Sequence, residues 1–471
     1  MLMENISIEQ RVSECLKNNK HIKFDVAYRF LTQVMPASPK EIFKHGEGIK
    51  RAKYFFDQLD NPQDAISPIH LAGTSGKGST ANIITSLLLG HGASTGTHTS
   101  PHIYDIRERC MINGQLCSKD IFTNSFESIL PAVFDMTDTI YGRPTYFEAT
   151  NAIAFTAFKD AQLDYAVIET GLGGQYDSTN TISRTDKLSV ITSLGLDHTE
   201  ILGNSLAEIA TQKAGIFIPN GEVVVLRPDS QEALEAIKNV ATERNVSVVW
   251  AEPNWVKLHH SDLNGSTFTY DDGVNRFENL HLSLIGQHQL ENVAVGICAF
   301  LKIAVRDKIE VSRDLMNEAL SNISMPARFE VANAFGKKLI LDGAHNSQKL
   351  EAFIATMEKL KVKCPIWVLA LKKTKDTESI IDVISPVVEH LVVTQFFASQ
   401  DGPATHMKMQ PEDIASVARR SSIKHVSVFE DNLEALQFAC SVSVDDPVVV
   451  SGSFYLIGEL HDRLADLGIN G

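Results

Sequence analysis

Residues 70–80 read HLAGTSGKGST, and the reading of this stretch decides the fold. To its left, Pro68-Ile69-His70-Leu71-Ala72 is an apolar run of strand length. To its right, Ile83, Ile84, Leu87 and Leu88 recur at the spacing of one helix face, which Gly90 and Gly92 close. Strand, glycine-rich turn with a lysine, and helix together make a setting for phosphate. Small residues let backbone N–H groups converge, the helix N-terminus favours negative charge, and Lys77 adds a point cation. The loop is a variant, because Gly78 separates Lys77 from the hydroxyl of Ser79 and the glycines crowd together.

Outward from this loop, a chain of 471 residues exceeds what one core usually serves, so two domains are expected. No apolar run reaches the ~18 residues of a membrane span, and the polar N-terminus does not read as a secretory signal. Six scattered cysteines without CxxC or metal spacing point to a reduced, cytoplasmic chain. A formal charge of −15 argues against nucleic-acid or anionic-membrane partners. It leaves room for a local basic pocket that takes an anionic small molecule.

Strand-like runs at 163–169 and 188–193 mix with helical stretches up to about residue 320. A second rhythm follows, with apolar runs at 338–341, 366–371, 390–394 and 446–450. Between the first two, residues 347–360 place Leu350, Phe353, Ile354, Met357 and Leu360 on one helix face. This alternation predicts a parallel sheet covered by helices. Residues 321–326, short, polar and ending in Pro326, are the candidate linker. The expected domains are therefore 1–323 and 324–471.

Polar clusters follow several apolar strands, where α/β folds place ligands. They are Thr99-Ser100-Pro101-His102, the segment VIETGLGGQYDSTN at 167–180, and Leu196-Asp197-His198. An acid (Glu169) after one strand and an imidazole (His198) after another can face the phosphates and hold divalent cations. Mg²⁺ prefers oxygen ligands and keeps several waters, so one or two protein contacts per ion suffice. Lys213, in IATQKAGIFIP, has apolar neighbours in Ile209, Ala210 and Ile216. Alone it reads as a surface lysine lying along its helix.

Taken in order, GTSGKGST, TSPH followed by RERCMING, the FE of TYFEAT, ETGLGGQYDSTN, LDH, QKAGI, GQHQLEN, MPARFE, LDGAHN and SGSFYLIGE are jointly informative. The chain resembles the folylpolyglutamate synthase/dihydrofolate synthase family of ATP-dependent Mur-type amide ligases, over residues 67–458. The resemblance implies an N-terminal P-loop-type ATPase domain with a mostly parallel sheet and a smaller C-terminal Rossmann-like α/β domain. By the same resemblance Gly76, Lys77, Gly78 and Ser79 hold ATP phosphates, and Asn292, Arg328 and Asp342 contact the nucleotide. Ser100 and Glu169 correspond to ligands of a first Mg²⁺ and His198 to a ligand of a second. Lys213 matches a lysine carbamylated on its ε-nitrogen, which replaces the surface reading given above. With Lys77, Glu169 and His198 it makes up the implied catalytic set. His345 lies where the family binds incoming glutamate, and Arg143, Pro144, Thr145 and Tyr146 match a loop that touches the pterin-bearing substrate. The implied partners are ATP, L-glutamate, and dihydropteroate or a reduced folate, acted on by a monomer.

Three departures stand out. Ser75 replaces the asparagine of the usual G-T-N-G-K-G-S loop, and Gln175 replaces the arginine of G-L-G-G-R-x-D. The D-x-G-L-x-R stretch of members that make dihydrofolate is only partly matched by Gly46-Glu47-Gly48-Ile49-Lys50-Arg51. Two other readings remain at this point: a Mur-type ligase with another carboxylate acceptor, and a slowly hydrolysing ATP switch or scaffold.

Overall fold

The computed structural model describes residues 7–37, 46–397 and 408–467. Strand β1 (Ser67–Ala72), which feeds the phosphate loop, lies inside an eight-stranded sheet. The other members are β2 (Thr95–His98), β3 (Met111–Ile112), β4 (Gln115–Leu116), β5 (Tyr165–Glu169), β6 (Leu188–Ile191), β7 (Glu222–Leu226) and β8 (Ser247–Ala251). The order is β4-β3-β2-β5-β1-β6-β7-β8, parallel except for the edge hairpin of β3 and β4. The chain leaves β1 on one side and returns to flank it with β5 and then β6. The carboxyl ends of those three strands therefore open together, at the crevice where α/β sheets bind ligands. Register pairs Leu71 with Glu169, which levels that acid with the start of the phosphate loop.

Every residue of β5 is buried, as expected for a strand covered on both faces. On one face the helix Lys77–Gly90 packs Ile83, Ile84, Leu87 and Leu88 against Val293, Ile297 and Phe300 of the helix Gln287–Asp307. Each such side chain, fully buried, contributes about 1.5–3 kcal/mol. A methyl group at Gly296 would lie 2.4 Å from Ile83, so glycine there lets the two helices approach closely. The helix Gln287–Asp307 is long and apolar enough to cross a membrane, yet it is a core helix with most of its apolar stretch buried. The opposite face is covered by Ile8–Lys17, Phe24–Gln33, Lys119–Asp135 and Tyr146–Asp160. Strands β9 (Val256–Asp262), β10 (Gly265–Asp271) and β11 (Arg276–Leu282) form a separate antiparallel sheet that the apolar rhythm does not reveal.

The C-terminal sheet contains β12 (Glu330–Ala334), β13 (Lys337–Asp342), β14 (Ile366–Leu369), β15 (His390–Val393), β16 (His425–Val428) and β17 (Val448–Ser451), in the order β12-β13-β17-β14-β15-β16. It is parallel but for β12. Phe335 and Gly336 both adopt positive φ (49° and 71°), the two-residue turn that reverses the chain between β12 and β13. The helix Ser347–Lys359 buries Leu350, Phe353, Ile354 and Met357, as its spacing predicts.

Two sequence features meet 97 residues apart. Arg51 grips Glu148 with two parallel N–H donors, Nε to Oε2 at 2.8 Å and a terminal nitrogen to Oε1 at 2.9 Å. Glu148 also caps its own helix, accepting from the Thr145 N–H at 2.7 Å while Thr145 Oγ1 accepts from the Glu148 N–H at 3.3 Å. Both side chains are largely buried, so removing one strands the other's charge. Glu148→Ala is expected to destabilise the fold by about 3–5 kcal/mol in urea unfolding. A loss below about 1 kcal/mol would place the pair in the class of exposed, exchangeable bridges.

Candidate active site

The loop between β1 and the helix Lys77–Gly90 is pinned from β6: Thr74 N–H donates to Ser193 O at 2.8 Å and Thr192 Oγ1 donates to Ser75 O at 2.7 Å. Gly73 and Gly76 have no room for a side chain, since a Cβ would lie 1.8 Å from Thr192 Oγ1 and 2.1 Å from Asn292 Oδ1. Gly76 also sits at φ +82°, immediately before the helix. Asn292, whose amide donates to Gln289 Oε1 at 2.9 Å, thus abuts the turn directly. Ser75 lends its carbonyl to the loop's own hydrogen bonds, a role that any residue fills.

Two lysines converge on one oxygen. Lys77 Nζ donates to Gly73 O at 3.1 Å, and Lys213 Nζ donates to the same oxygen at 2.8 Å. Lys213 is only 3% exposed, and Ile209, Ala210 and Ile216 are fully buried with it. Burial, reinforced by the neighbouring charge of Lys77, lowers its pKa to about 7. Lys77 also lies 3.7 Å from Glu169 Oε1, while the Ser100 N–H donates to Glu169 Oε2 at 3.1 Å. Burial raises the Glu169 carboxyl, opposed by Lys77, the Ser100 N–H, Arg328 and Arg109. Gly78 would bring a Cβ within 3.4 Å of Glu169 Oε2, and Ser79 is buried one residue on.

The second sheet faces this cluster. Arg328 stacks over Phe454 at 4.8 Å, and its charge acts on both Asp342 and Glu169. Asp342 accepts the N–H groups of Phe329 (2.9 Å) and Ala344 (2.8 Å); burial raises its carboxyl and Arg328 opposes the shift. His345 accepts from Lys349 Nζ at 3.4 Å through Nε2, and its Nδ1 bonds Gly343 O at 2.7 Å, which fixes the proton on Nδ1. Burial and the charges of Lys349 and Lys375 hold His345 well below the ordinary histidine range. Burial also lowers Lys349, to about 8, with Asp197 pulling the other way.

His198 begins the short helix Thr199–Leu202 at φ +50° and is about half exposed. Burial lowers its pKa, countered by Asp197 and Glu200, and Lys77 is close enough to add to the lowering. The structure thus gathers Gly76, Lys77, Gly78, Ser79, Ser100, Glu169, Lys213 and Asn292 at the carboxyl ends of β1, β5 and β6. Arg328, Asp342 and His345 stand across from them, with Arg328 acting on both of the others, and His198, after β6, lies within reach of Lys77 and Lys375. Among the described residues no three of His, Cys, Asp or Glu cluster as a protein-only metal cage. A buried carboxylate at this position, with Ser100 joined to it through its backbone N–H, nevertheless suits Mg²⁺, which retains most of its water.

The loop at 143–146 lies elsewhere. Arg143 donates to Glu9 Oε1 at 2.7 Å and packs over Phe134, so the structure does not bring its guanidinium to the phosphate loop. Thr145 caps the helix Tyr146–Asp160 beside Pro144, and Tyr146 is buried beneath Arg109. Lys349 and Lys375 act on this site without any sequence motif that singles them out, and Asp197, quoted only as part of Leu196-Asp197-His198, acts on Lys213 and Lys349. Lys349 sits in the first turn of the helix Ser347–Lys359, directly after the LDGAHN stretch, and so was within reach of a sequence signal. Gln175 donates its backbone N–H to Gln212 O at 2.7 Å, behind Lys213.

A phosphate loop with paired lysines, faced by cationic and acidic groups of a second α/β unit, defines a two-domain ATP-dependent ligase. A Mur ligase middle domain model matches residues 71–300, and a dihydrofolate synthetase C-terminal domain model matches 328–464. The dihydrofolate synthase/folylpolyglutamate synthase of Bacillus subtilis is 32% identical over 421 residues, spanning 88% of this chain and 95% of its own. The folylpolyglutamate synthase of Lacticaseibacillus casei is 31% identical over 418 residues, covering 86% and 92%. The solved structure of Mycobacterium tuberculosis folylpolyglutamate synthase complexed with ADP and AMPPCP aligns with a TM-score of 0.77 at 25% identity, over 88% of this chain and 95% of that one. The chain belongs to the dihydrofolate synthase/folylpolyglutamate synthase family.

Proposed function

We propose that this enzyme joins L-glutamate to the carboxylate of a folate-type acceptor, dihydropteroate or a reduced folate, through an acyl phosphate. The observation that carries the reading is the convergence of Lys77, Lys213 and Glu169 on the phosphate loop, opposite Arg328, Asp342 and His345 of the second sheet. The acceptor carboxylate attacks the γ-phosphorus of ATP, and ADP leaves. The glutamate amine then attacks the activated carbonyl, and phosphate leaves with formation of the amide.

Carboxylate and triphosphate repel one another, so the first step rests on cations and oriented N–H groups. Lys77 and the first turn of the helix Lys77–Gly90 hold the phosphates. Ser100 and Glu169 would hold one Mg²⁺ and His198 a second, and such ions would supply further positive charge for phosphoryl transfer. Carbamylated Lys213 replaces a desolvated cation by an anion beside that site. Arg328 and Asp342 orient the nucleotide from the second domain, and closure keeps water from the acyl phosphate. Lys349 and Lys375 surround His345 with the positive charge that suits the carboxylates of glutamate, and the neutral imidazole donates no extra proton. Arg143, Pro144, Thr145 and Tyr146 shape the far end of the acceptor's path. The enzyme acts as a cytoplasmic monomer without nucleic-acid or membrane partners, consistent with its acidic charge.

The test is phosphate release from Mg-ATP and glutamate, with dihydropteroate and tetrahydrofolate offered separately and products weighed by mass spectrometry. The expected result is release that requires glutamate and an acceptor, with one glutamyl residue added. Release indifferent to both would overturn the ligase reading in favour of an ATP switch.

A further inference from the structure

Lys187 precedes β6, at the opposite end of that strand from the phosphate loop. It is fully buried, yet its ammonium makes a single hydrogen bond, to Ile182 O at 3.3 Å, and no carboxylate lies within ion-pair distance among the described residues. Two of its three N–H donors are thus unused. The nearest acid acting on it, Asp64, is engaged by Ser183, accepting from the backbone N–H at 2.7 Å and from Oγ at 2.6 Å. The other neighbour is a like charge: Arg244, held by Phe217 O, repels Lys187.

Lys187, Ile182, Ser183, Phe217 and Arg244 line a cleft of about 600 Å³ between the helix Glu47–Asp57, the segment 175–187 and the turn at 215–219. Lys53 stands at its exposed side, and Tyr176 and Thr181 contribute to its walls. Three of the described lining residues are cationic and none is a carboxylate. In a chain with 58 acidic and 43 basic residues, that local inversion needs a reason. Of these cations only Lys187 is desolvated; burial and the charge of Arg244 lower its pKa to about 7, and an anion that reaches it offsets the cost of its charged form. The cleft is too large for one monatomic ion, and its cations are spread around it.

The geometry points to a second anion site at this cleft, outside the catalytic centre, that takes a small molecule bearing two or more phosphate or carboxylate groups on Lys187, Arg244 and Lys53. Gln175, the residue where relatives were expected to carry arginine, lies on its wall and joins it to Gln212, next to Lys213. A neutral side chain there leaves Lys187 and Arg244 to bind the ligand without a further like charge.

Calorimetric titration of metal-free protein with citrate and, separately, pyrophosphate tests the assignment. At least one probe is expected to bind, at least about tenfold more weakly in Lys187→Met. Because a buried substitution can disturb folding, the Lys53→Gln/Arg244→Gln double variant is measured alongside and is expected to show the same loss. Lys77→Met is expected to retain this binding, which separates the cleft from the phosphate loop, and glutamate ligation by Lys187→Met is expected to persist. Preference for citrate assigns the site to carboxylates and preference for pyrophosphate to phosphates. Wild-type affinity for both probes in both cleft variants would overturn the site.

Discussion

Replacing Lys77 by methionine is expected to lower kcat/KM for ATP by about 100- to 1,000-fold, the loss that follows removal of one charge-stabilising donor from a catalytic centre. The side chain is partly buried between Gly73 O and Glu169, so its ammonium is held in place before the nucleotide arrives. Its loss acts twice. The phosphates lose a cation, and Glu169, whose carboxyl burial already pushes up, loses the first of the charges that oppose that shift. A wild-type thermal transition in the variant separates this loss from unfolding, and steady-state kinetics within threefold of wild type would rule out Lys77 as a phosphate group ligand.

Lys213→Ala is expected to reduce kcat by about 100-fold or more, with Lys213→Glu recovering part of the rate and Lys213→Arg none. A second ammonium bonded to Gly73 O beside Lys77 is a like charge in a desolvated place, and burial brings its pKa to about 7. Above that value the neutral amine dominates; it is the form that attacks CO₂, giving a carbamate and releasing a proton. Stimulation by bicarbonate should therefore increase as pH rises through about 7 and vanish in Lys213→Glu, which carries its anion permanently. Equal rates with and without bicarbonate, together with a fully active Lys213→Arg, would remove the carbamate from the mechanism.

Much of the site is legible without coordinates because its parts are local. A strand, a glycine turn and a helix within 67–90 fix where the phosphates go, since hydrogen bonding and sterics over a few residues set that geometry. The LDGAHN stretch is legible for the same reason: Asp342 ends β13 and its carboxylate caps the following turn. The antiparallel turn of β12 and the sheet β9–β11 are harder, because short half-exposed strands lack the continuous apolar runs of buried parallel ones.

The sequence by itself determined the buried parallel strands and the helices between them, the phosphate loop, and the acids and bases that end successive strands, because 3.6- and 2-residue periodicities and turn chemistry act over short distances. Only the tertiary structure decided which of these groups meet. Lys213 reaches Gly73 O across 140 residues, Arg51 reaches Glu148 across 97, and Lys187 is buried with no carboxylate at ion-pair distance among the described residues. Strand order makes these neighbours, placing β5 and β6 on either side of β1, and desolvation then sets their charges. Neither the order of a sheet nor the water around a lysine is encoded in its adjacent residues.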